Sequence, residues 1–360
     1  MKHRIVQIGL GTRGCHHLES YLALDNYYDL VGIYDPLPGL AEKVVEKYHL
    51  DPCVVYYDPA RMLNVLRPEI VSFVTPPLVR KYYVELAARY NVKGLLFEKP
   101  MATNLQEARD ILKIIHAHSI KAVVCHQHKY FKAYKRLHHL VFSGEIGKIL
   151  RISAECKSWP SKIATHYIDY ILWINGDSPV LQLAGHISGR RFLVSDHPSP
   201  EYLLSELEMA NGVRATLQCG FFSKSHSSYT VDHDTGTYDM AFWTDCRLSV
   251  YGETGYACAE LNGKWRVFSP QTRSVVMHGS EPGYPLEIPE AQIAYAQEMI
   301  AWLENDEKIH SCCIDRAYYG FQLLEAIYRS AMEFQCIKLP LEAKYFKTNT
   351  IEDLRKTLNA

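Results

Sequence analysis

Three groups of residues in this sequence have the types and spacings that chemistry needs. The first is Gly9-Leu10-Gly11-Thr12-Arg13-Gly14, directly after the short apolar run Arg4-Ile5-Val6-Gln7-Ile8. A β-branched run meeting Gly-x-Gly-x-x-Gly predicts a buried strand, a tight turn and a helix start. In that pattern Gly9 permits the turn and Gly11 lets the backbone approach a pyrophosphate. Gly14 lets the helix pack on the strand, and the helix's first N–H groups face the phosphates. The whole hexad, with Leu10, Thr12 and Arg13, is therefore read as a cofactor-binding turn. The second group is Asp35, 21 positions after Gly14 (35 − 14), at the end of the apolar stretch 29–34. A ribose-binding carboxylate is expected about 20 residues on. Such a carboxylate accepts the ribose hydroxyls and repels a 2′-phosphate. No arginine follows in Pro36-Leu37-Pro38, so the pair predicts NAD rather than NADP. The third group is Lys99 with His166 and Asp169. Lys99 follows the apolar run 94–97, at the carboxyl edge of a sheet, where open α/β proteins bind ligands. A cation there can polarise a reacting hydroxyl, and burial lowers its pKa. The plainer alternative is a surface lysine paired with Glu98. His166 and Asp169 lie three apart and share a helix face that continues to Tyr170 and Trp173. A histidine so placed can remove a hydroxyl proton as a hydride leaves the carbon. The alternative is a core histidine.

Two kinds of sheet must carry these residues. Over 1–123, strands predicted at 4–8, 29–35, 53–57, 69–74, 93–97 and 121–125 alternate with helical stretches. The helices are expected at about 14–24, 39–49, 59–66, 76–90 and 104–118. That alternation predicts a doubly wound parallel sheet. From 124 to 360 the pattern changes. A basic helix at 131–142, a strand at 148–156 and a short helix at 166–175 precede strand-and-turn signals. Those strands are expected at 180–189, 203–209, 213–221, 246–252, 256–260 and 265–268, with hairpin turns at Asn211-Gly212 and Asn262-Gly263. Two long helices, 289–305 and 315–335, close the chain, and 197–200 and 280–289 are the expected loops.

Bulk properties exclude several functions. The 360 residues are 48% hydrophobic and 22% charged, with formal net charge −1, so no global basic field exists to hold nucleic acid or an anionic membrane. Lys129, Lys132, Lys135, Arg136, His138 and His139 read as one solvated helix face. No run approaches the ~20 apolar residues of a membrane span, and the first strand leaves no room for a signal peptide. The ten cysteines show no C-x-x-C pair and read as reduced, packed thiols, which predicts a cytoplasmic protein. Cys125-His126-x-His128 lacks a second ligand pair, so no metal is expected.

Taken together, these residues resemble the glucose–fructose oxidoreductase / inositol dehydrogenase / rhizopine-catabolism (Gfo/Idh/MocA) family over most of the chain. The resemblance rests on Gly9-x-Gly11-x-x-Gly14, Asp35, Thr75-Pro76, Glu98-Lys99-Pro100-Met101-Ala102, Gly144-Glu145-Ile146-Gly147-Lys148, His166-x-x-Asp169 and Gly252-Glu253-Thr254-Gly255. It implies an α/β protein with an N-terminal Rossmann domain (1–123). A C-terminal α/β domain (124–360) would carry a large, open-faced, mainly antiparallel sheet for substrate binding and oligomerisation. It implies NAD held by the glycine turn, Asp35, Thr75, Pro76, Pro77, Arg80, Glu98, Lys99 and Gln127. It implies a sugar, sugar derivative or cyclitol at the domain junction, contacted by Lys99, His128, Lys129, Lys162 and His166. Its reaction would be hydride transfer at a CH–OH group, with Lys99, His166, Lys162 and Asp169 as catalytic residues. A homodimer or homotetramer through the open sheet face and a cis peptide before Pro100 complete the expectation. The chain departs from the family at three places. Lys162 stands where many members carry an acid, Arg80 where the Thr-Pro motif usually continues to a histidine, and Gln127-His128-Lys129 near a usual arginine and proline. These departures keep two alternatives open: a redox glycosidase with no net NADH release, and a non-catalytic dinucleotide-sensing regulator.

Overall fold

The computed structural model describes residues 2–190, 193, 198–220, 245–273 and 275–359. From the N-terminus the chain forms β1 (His3–Ile8), α1 (Thr12–Ala23), β2 (Tyr28–Tyr34), α2 (Leu40–Tyr48), α3 (Pro59–Leu66) and β3 (Ile70–Phe73). Next come α4 (Arg80–Arg89), β4 (Gly94–Glu98), α5 (Leu105–Ala117) and β5 (Lys121–Cys125). The strands pair in parallel in the order β2-β1-β3-β4-β5. This is the doubly wound arrangement expected, and the order in which successive strands are added reverses between β1 and β3. Helices on both faces explain the near-continuous apolar strands: Ile5, Val6, Ile8, Ile70, Val71, Phe73 and Leu95–Phe97 are fully buried. Phe73 and Phe97, register partners on β3 and β4, stack at 4.8 Å. The strand expected at 53–57 is a correction. Pro52–Val54 is instead a single 3-10 turn started by the Asp51 side chain, and only Val55 bridges to Ile33. Proline at the first position and an aspartate cap favour a helical turn over a strand.

The chain continues through α6 (Lys132–Phe142), β6 (Ile149–Cys156), α7 (Pro160–Ile174), β7 (Val180–Ser188), β8 (Tyr202–Met209) and β9 (Arg214–Gly220). It then forms β10 (Cys246–Gly252), β11 (Tyr256–Glu260), β12 (Lys264–Phe268), β13 (Met277–Ser280), α8 (Ile288–Glu304), α9 (Ile314–Glu333), β14 (Ile337–Lys338) and α10 (Thr350–Asn359). Phe221, the last residue of one predicted strand, and His197 of one predicted loop lie outside the described residues. A nine-stranded sheet runs β13-β12-β11-β10-β6-β9-β8-β7-β14. Every pairing is antiparallel except β6 with β9. α7 packs on β6 and β9, and α6 on β11 and β12. α7 starts at Pro160, six residues before the expected His166, and 12 of its 15 residues are buried. Proline at its first turn begins it, and its apolar sides all find neighbours.

The chain forms two compact units. One holds residues 1–127 with 289–319; the other holds 128–288 with 320–360. The segment 289–319 belongs to the unit of the parallel sheet, to which the expected split at 123/124 did not assign it. In that unit Tyr28 donates to the Ala296 carbonyl (2.6 Å), the Lys121 ammonium to the Trp302 carbonyl (2.5 Å), and Cys313 bridges Val123 of β5.

Candidate functional site

The glycine turn is shaped by close backbone approach. Gly9 has φ +83°, and a Cβ there would lie 2.2 Å from the Val74 carbonyl oxygen. A Cβ on Gly14 would lie 2.1 Å from the Gly9 carbonyl oxygen. Only glycine tolerates either position. Gly11 differs: a Cβ there would meet nothing within 4 Å, so open space faces it. Gly11 is also the cap of α1, which receives no side-chain hydrogen bond at its N-terminus. The Gln7 amide, fully buried on β1, donates to the Gly9 carbonyl (3.0 Å) and steadies the turn from below. Leu10 divides its roles. Its side chain packs in the core with Leu18, Ile33, Ala41 and Val44, while its N–H donates to Asp35 Oδ2 (2.7 Å). Leu37 N–H donates to Asp35 Oδ1 (2.8 Å). Asp35 is thus fixed beside the turn at the end of β2, with each carboxylate oxygen able to accept a further bond. Thr12 is exposed.

Across the switch point, Thr75 follows β3. Its hydroxyl oxygen is buried without a hydrogen-bond partner among the described residues. Pro76 is exposed and Pro77 buried. Arg80 opens α4 and is only 2% exposed. Its Nη2 donates to the Thr75 carbonyl (2.9 Å) and the Lys99 carbonyl (3.2 Å). Burial pushes the Arg80 guanidinium down to about 10, against the pull of Glu98 and Glu107.

Glu98 ends β4 and Lys99 begins the turn, with a cis bond to Pro100. Lys99 is half-buried. Glu98 Oε1 accepts from Arg13 Nε (3.2 Å) and Nη2 (2.9 Å) and from His17 Nε2 (3.1 Å). Burial works against the carboxylate, but Arg13, the His17 hydrogen bond and Lys99 outweigh it and hold Glu98 well below the usual range. Burial also lowers the His17 pKa, despite Glu98. The neutral ring then donates from Nε2, and its Nδ1 accepts from the Gln292 amide (3.2 Å). Gln292 Oε1 accepts in turn from Arg13 (3.4 Å) and the Cys125 thiol (3.7 Å). His17, Glu98 and Cys125 offer ligand atoms within 4.8 Å of one another. Arg13 supplies the positive charge that a metal ion would bring there, and burial pushes the Cys125 thiol up, away from the thiolate a metal needs. Gln127 is buried and accepts from the Cys125 thiol (3.4 Å). Arg13, part of the expected cofactor-binding turn, lays its guanidinium on Glu98. His17, Gln7 and Gln292 went unread. His17 follows the glycine motif by three residues, the one local signal available.

The second unit gathers the other predicted residues on and before α7. Lys129 Nζ and Asp169 Oδ2 form an ion pair at 2.6 Å, with both side chains 1% exposed. Such a pair persists only with tight geometry, because each charge has lost its water. His128 and His166 stack at 4.6 Å with rings 10° apart, both buried. His166 Nδ1 lies 3.0 Å from the Tyr170 hydroxyl. Lys162, one turn before His166, is exposed.

Residues 3–126 match the family model described as the oxidoreductase family with an NAD-binding Rossmann fold. Over that segment the chain is similar to the Gfo/Idh/MocA oxidoreductases. The chain is 28% identical over 155 residues to the scyllo-inositol 2-dehydrogenase (NAD(+)) of Bacillus subtilis, covering 41% of this chain and 43% of that protein. The alignment thus spans less than half the length of that relative. Among solved structures, an oxidoreductase from Agrobacterium radiobacter in complex with NAD+, L-tartaric acid and magnesium superposes with TM-score 0.78 at 17% identity. The match covers 94% of this chain and 98% of that one. Levoglucosan dehydrogenase in complex with NADH and levoglucosan gives TM-score 0.78 at 15% identity, covering 94% and 100%. Both structures share the fold of this chain. The residues present fit a dinucleotide: open space at Gly11, an uncapped helix N-terminus, a fixed Asp35 and a buried, unmatched Thr75 hydroxyl.

Proposed function

We propose that the protein is an NAD-dependent dehydrogenase acting on a hydroxyl of a sugar, sugar derivative or cyclitol. The observation that carries this reading is Asp35, held by Leu10 N–H and Leu37 N–H beside a glycine turn open at Gly11. The turn and the first N–H groups of α1 would hold the pyrophosphate, and Asp35 the adenosine ribose. Bound NAD supplies the hydride acceptor. Lys99 would polarise the reacting hydroxyl, anchored by Glu98, whose charge Arg13 and His17 secure. His166 would take the hydroxyl proton. For Nε2 to receive that proton, Nδ1 would carry the ring hydrogen and donate it to the Tyr170 hydroxyl. The buried Asp169–Lys129 pair would hold α7 and the loop before α6 in register for His128 and His166. Lys162, exposed, would contact substrate rather than carry a proton. Arg80, Thr75, Pro76, Pro77 and Gln127 complete the proposed cofactor surroundings. The curated relatives are named inositol dehydrogenases, which favours neither the glycosidase nor the regulator reading.

A homodimer or homotetramer through the exposed face of the nine-stranded sheet is the proposed assembly, and the ten free thiols support a reducing cytoplasm. No described helix is long and apolar enough to cross a membrane. The test is calorimetric titration of NAD+ and NADP+, followed by a panel of sugars and cyclitols with NAD+, reading NADH. Tighter NAD+ binding, turnover of a panel member and its loss in Lys99→Ala with NAD+ still bound are the expected results. Full activity of Lys99→Ala would remove the catalytic assignment.

A further inference from the structure

Arg80 is a buried cation that the fold does not neutralise. No carboxylate lies within ion-pair distance of it among the described residues, and its Nε and Nη1 are buried there without a hydrogen-bond partner. A charge stripped of water and left without a counter-ion works against folding. An apolar side chain of the same length would cost the core less. What Arg80 does engage is specific. One nitrogen, Nη2, bridges the carbonyls of Thr75 and Lys99, 24 residues apart in sequence (99 − 75). Those carbonyls belong to the turns leaving neighbouring strands β3 and β4, at the carboxyl edge of the sheet. Lys99 sits in a short turn, so its backbone carbonyl direction sets where its side chain starts.

We propose that Arg80 is a positioning residue for Lys99, retained for the alignment of that lysine and not for the stability of the fold. The proposal rests on the reading of Lys99 as a functional amine. Its logic matches sites where a locally unfavourable group is kept because the reaction needs it. Arg80→Met removes the charge and the donors at similar length, and Arg80→Lys keeps a charged donor. The experiment uses the full chain without ligand. It measures acetylation of Lys99 by acetic anhydride as a function of pH, by mass spectrometry, against exposed Lys43 as internal reference. Thermal unfolding is recorded in parallel.

In Arg80→Met the Lys99 labelling rate should change by about tenfold relative to Lys43, the factor that one hydrogen bond to a charged group is worth. The melting temperature should not fall. Unchanged Lys99 labelling in Arg80→Met overturns the proposal, whatever the melting temperature. Should labelling change and the melting temperature also fall, Arg80→Lys decides: restored labelling supports alignment, and unrestored labelling makes Arg80 a fold staple only. Activity of Lys99→Ala is read separately. Its retention would remove the role of Lys99 while leaving the Arg80 coupling measurable.

Discussion

Asp35 spends one lone pair on each oxygen before any ligand arrives. Leu10 N–H and Leu37 N–H fix the carboxylate plane, so ribose hydroxyls meet a preset acceptor pair. Charge-assisted bonds of this kind contribute roughly 1.5–3 kcal/mol. Asp35→Ala should therefore weaken NAD+ binding by roughly 10- to 100-fold and bring NADP+ close to NAD+, as titration calorimetry would show. Unchanged NAD+ affinity would refute the assignment. Glu98 permits a second test. Its pKa is depressed, so its contribution is complete above the unfolded carboxylate value and is lost as pH falls through the lower folded value. Glu98→Gln should destabilise by about 1–3 kcal/mol near pH 7, a difference that shrinks below about pH 4.5 in parallel melts. A difference growing toward acid would contradict the ion pairing. Much of this residue-level design was legible: the glycine spacing, Asp35 and Lys99 stand in a local pattern. Gln292 was not, because its contact with His17 spans 275 positions and glutamine carries no motif. Arg80 was visible as a departure, but its burial depends on where the β3 and β4 turns come to lie.

Elements with strong periodicity were readable to within a residue or two; β10 and β11 have the expected bounds. Weak periods failed. β14 has two residues, and α10 lies in a polar stretch whose partner is distant. That partner is α9. Glu325 on α9 is buried and accepts from the Thr350 hydroxyl at the start of α10, while Arg329 on α9 donates to Asp353 on α10 (2.8 Å). Burial pushes the Glu325 carboxyl up to about 7, against Thr350 and Arg329. A raised acid binds its proton more tightly in the folded state, so folding loses stability as pH climbs from about 4.5 through 7. Glu325→Gln imitates the protonated form. It should match the native chain at acid pH and exceed it above pH 7 by about 3 kcal/mol, the free-energy equivalent of that shift. Equal denaturant midpoints at pH 5 and pH 8 would show that Glu325 does not titrate in this range.

At the scale of the molecule, the alternating strand–helix pattern announced the parallel sheet, and the change after 123 announced the second. The return of 289–319 to the first unit carried no such signal: a long amphipathic helix is equally at home on either sheet. That return has a consequence for how the chain is made. The ribosome completes β5 and then releases 192 further residues (319 − 127) before the first unit has its last piece. At typical synthesis rates this takes roughly 10–40 s. During that interval His17 and Cys125 lack the cover that Gln292 and Tyr295 later provide. Nascent chains halted shortly after residue 127 has left the exit tunnel should be cut rapidly by protease within the parallel-sheet region. Chains halted after 319 has emerged should resist. Equal resistance would mean that the early strands finish folding alone. A cell making this protein must shelter an open α/β face while those 192 residues are made, so its yield should depend on chaperone supply more than its final stability suggests.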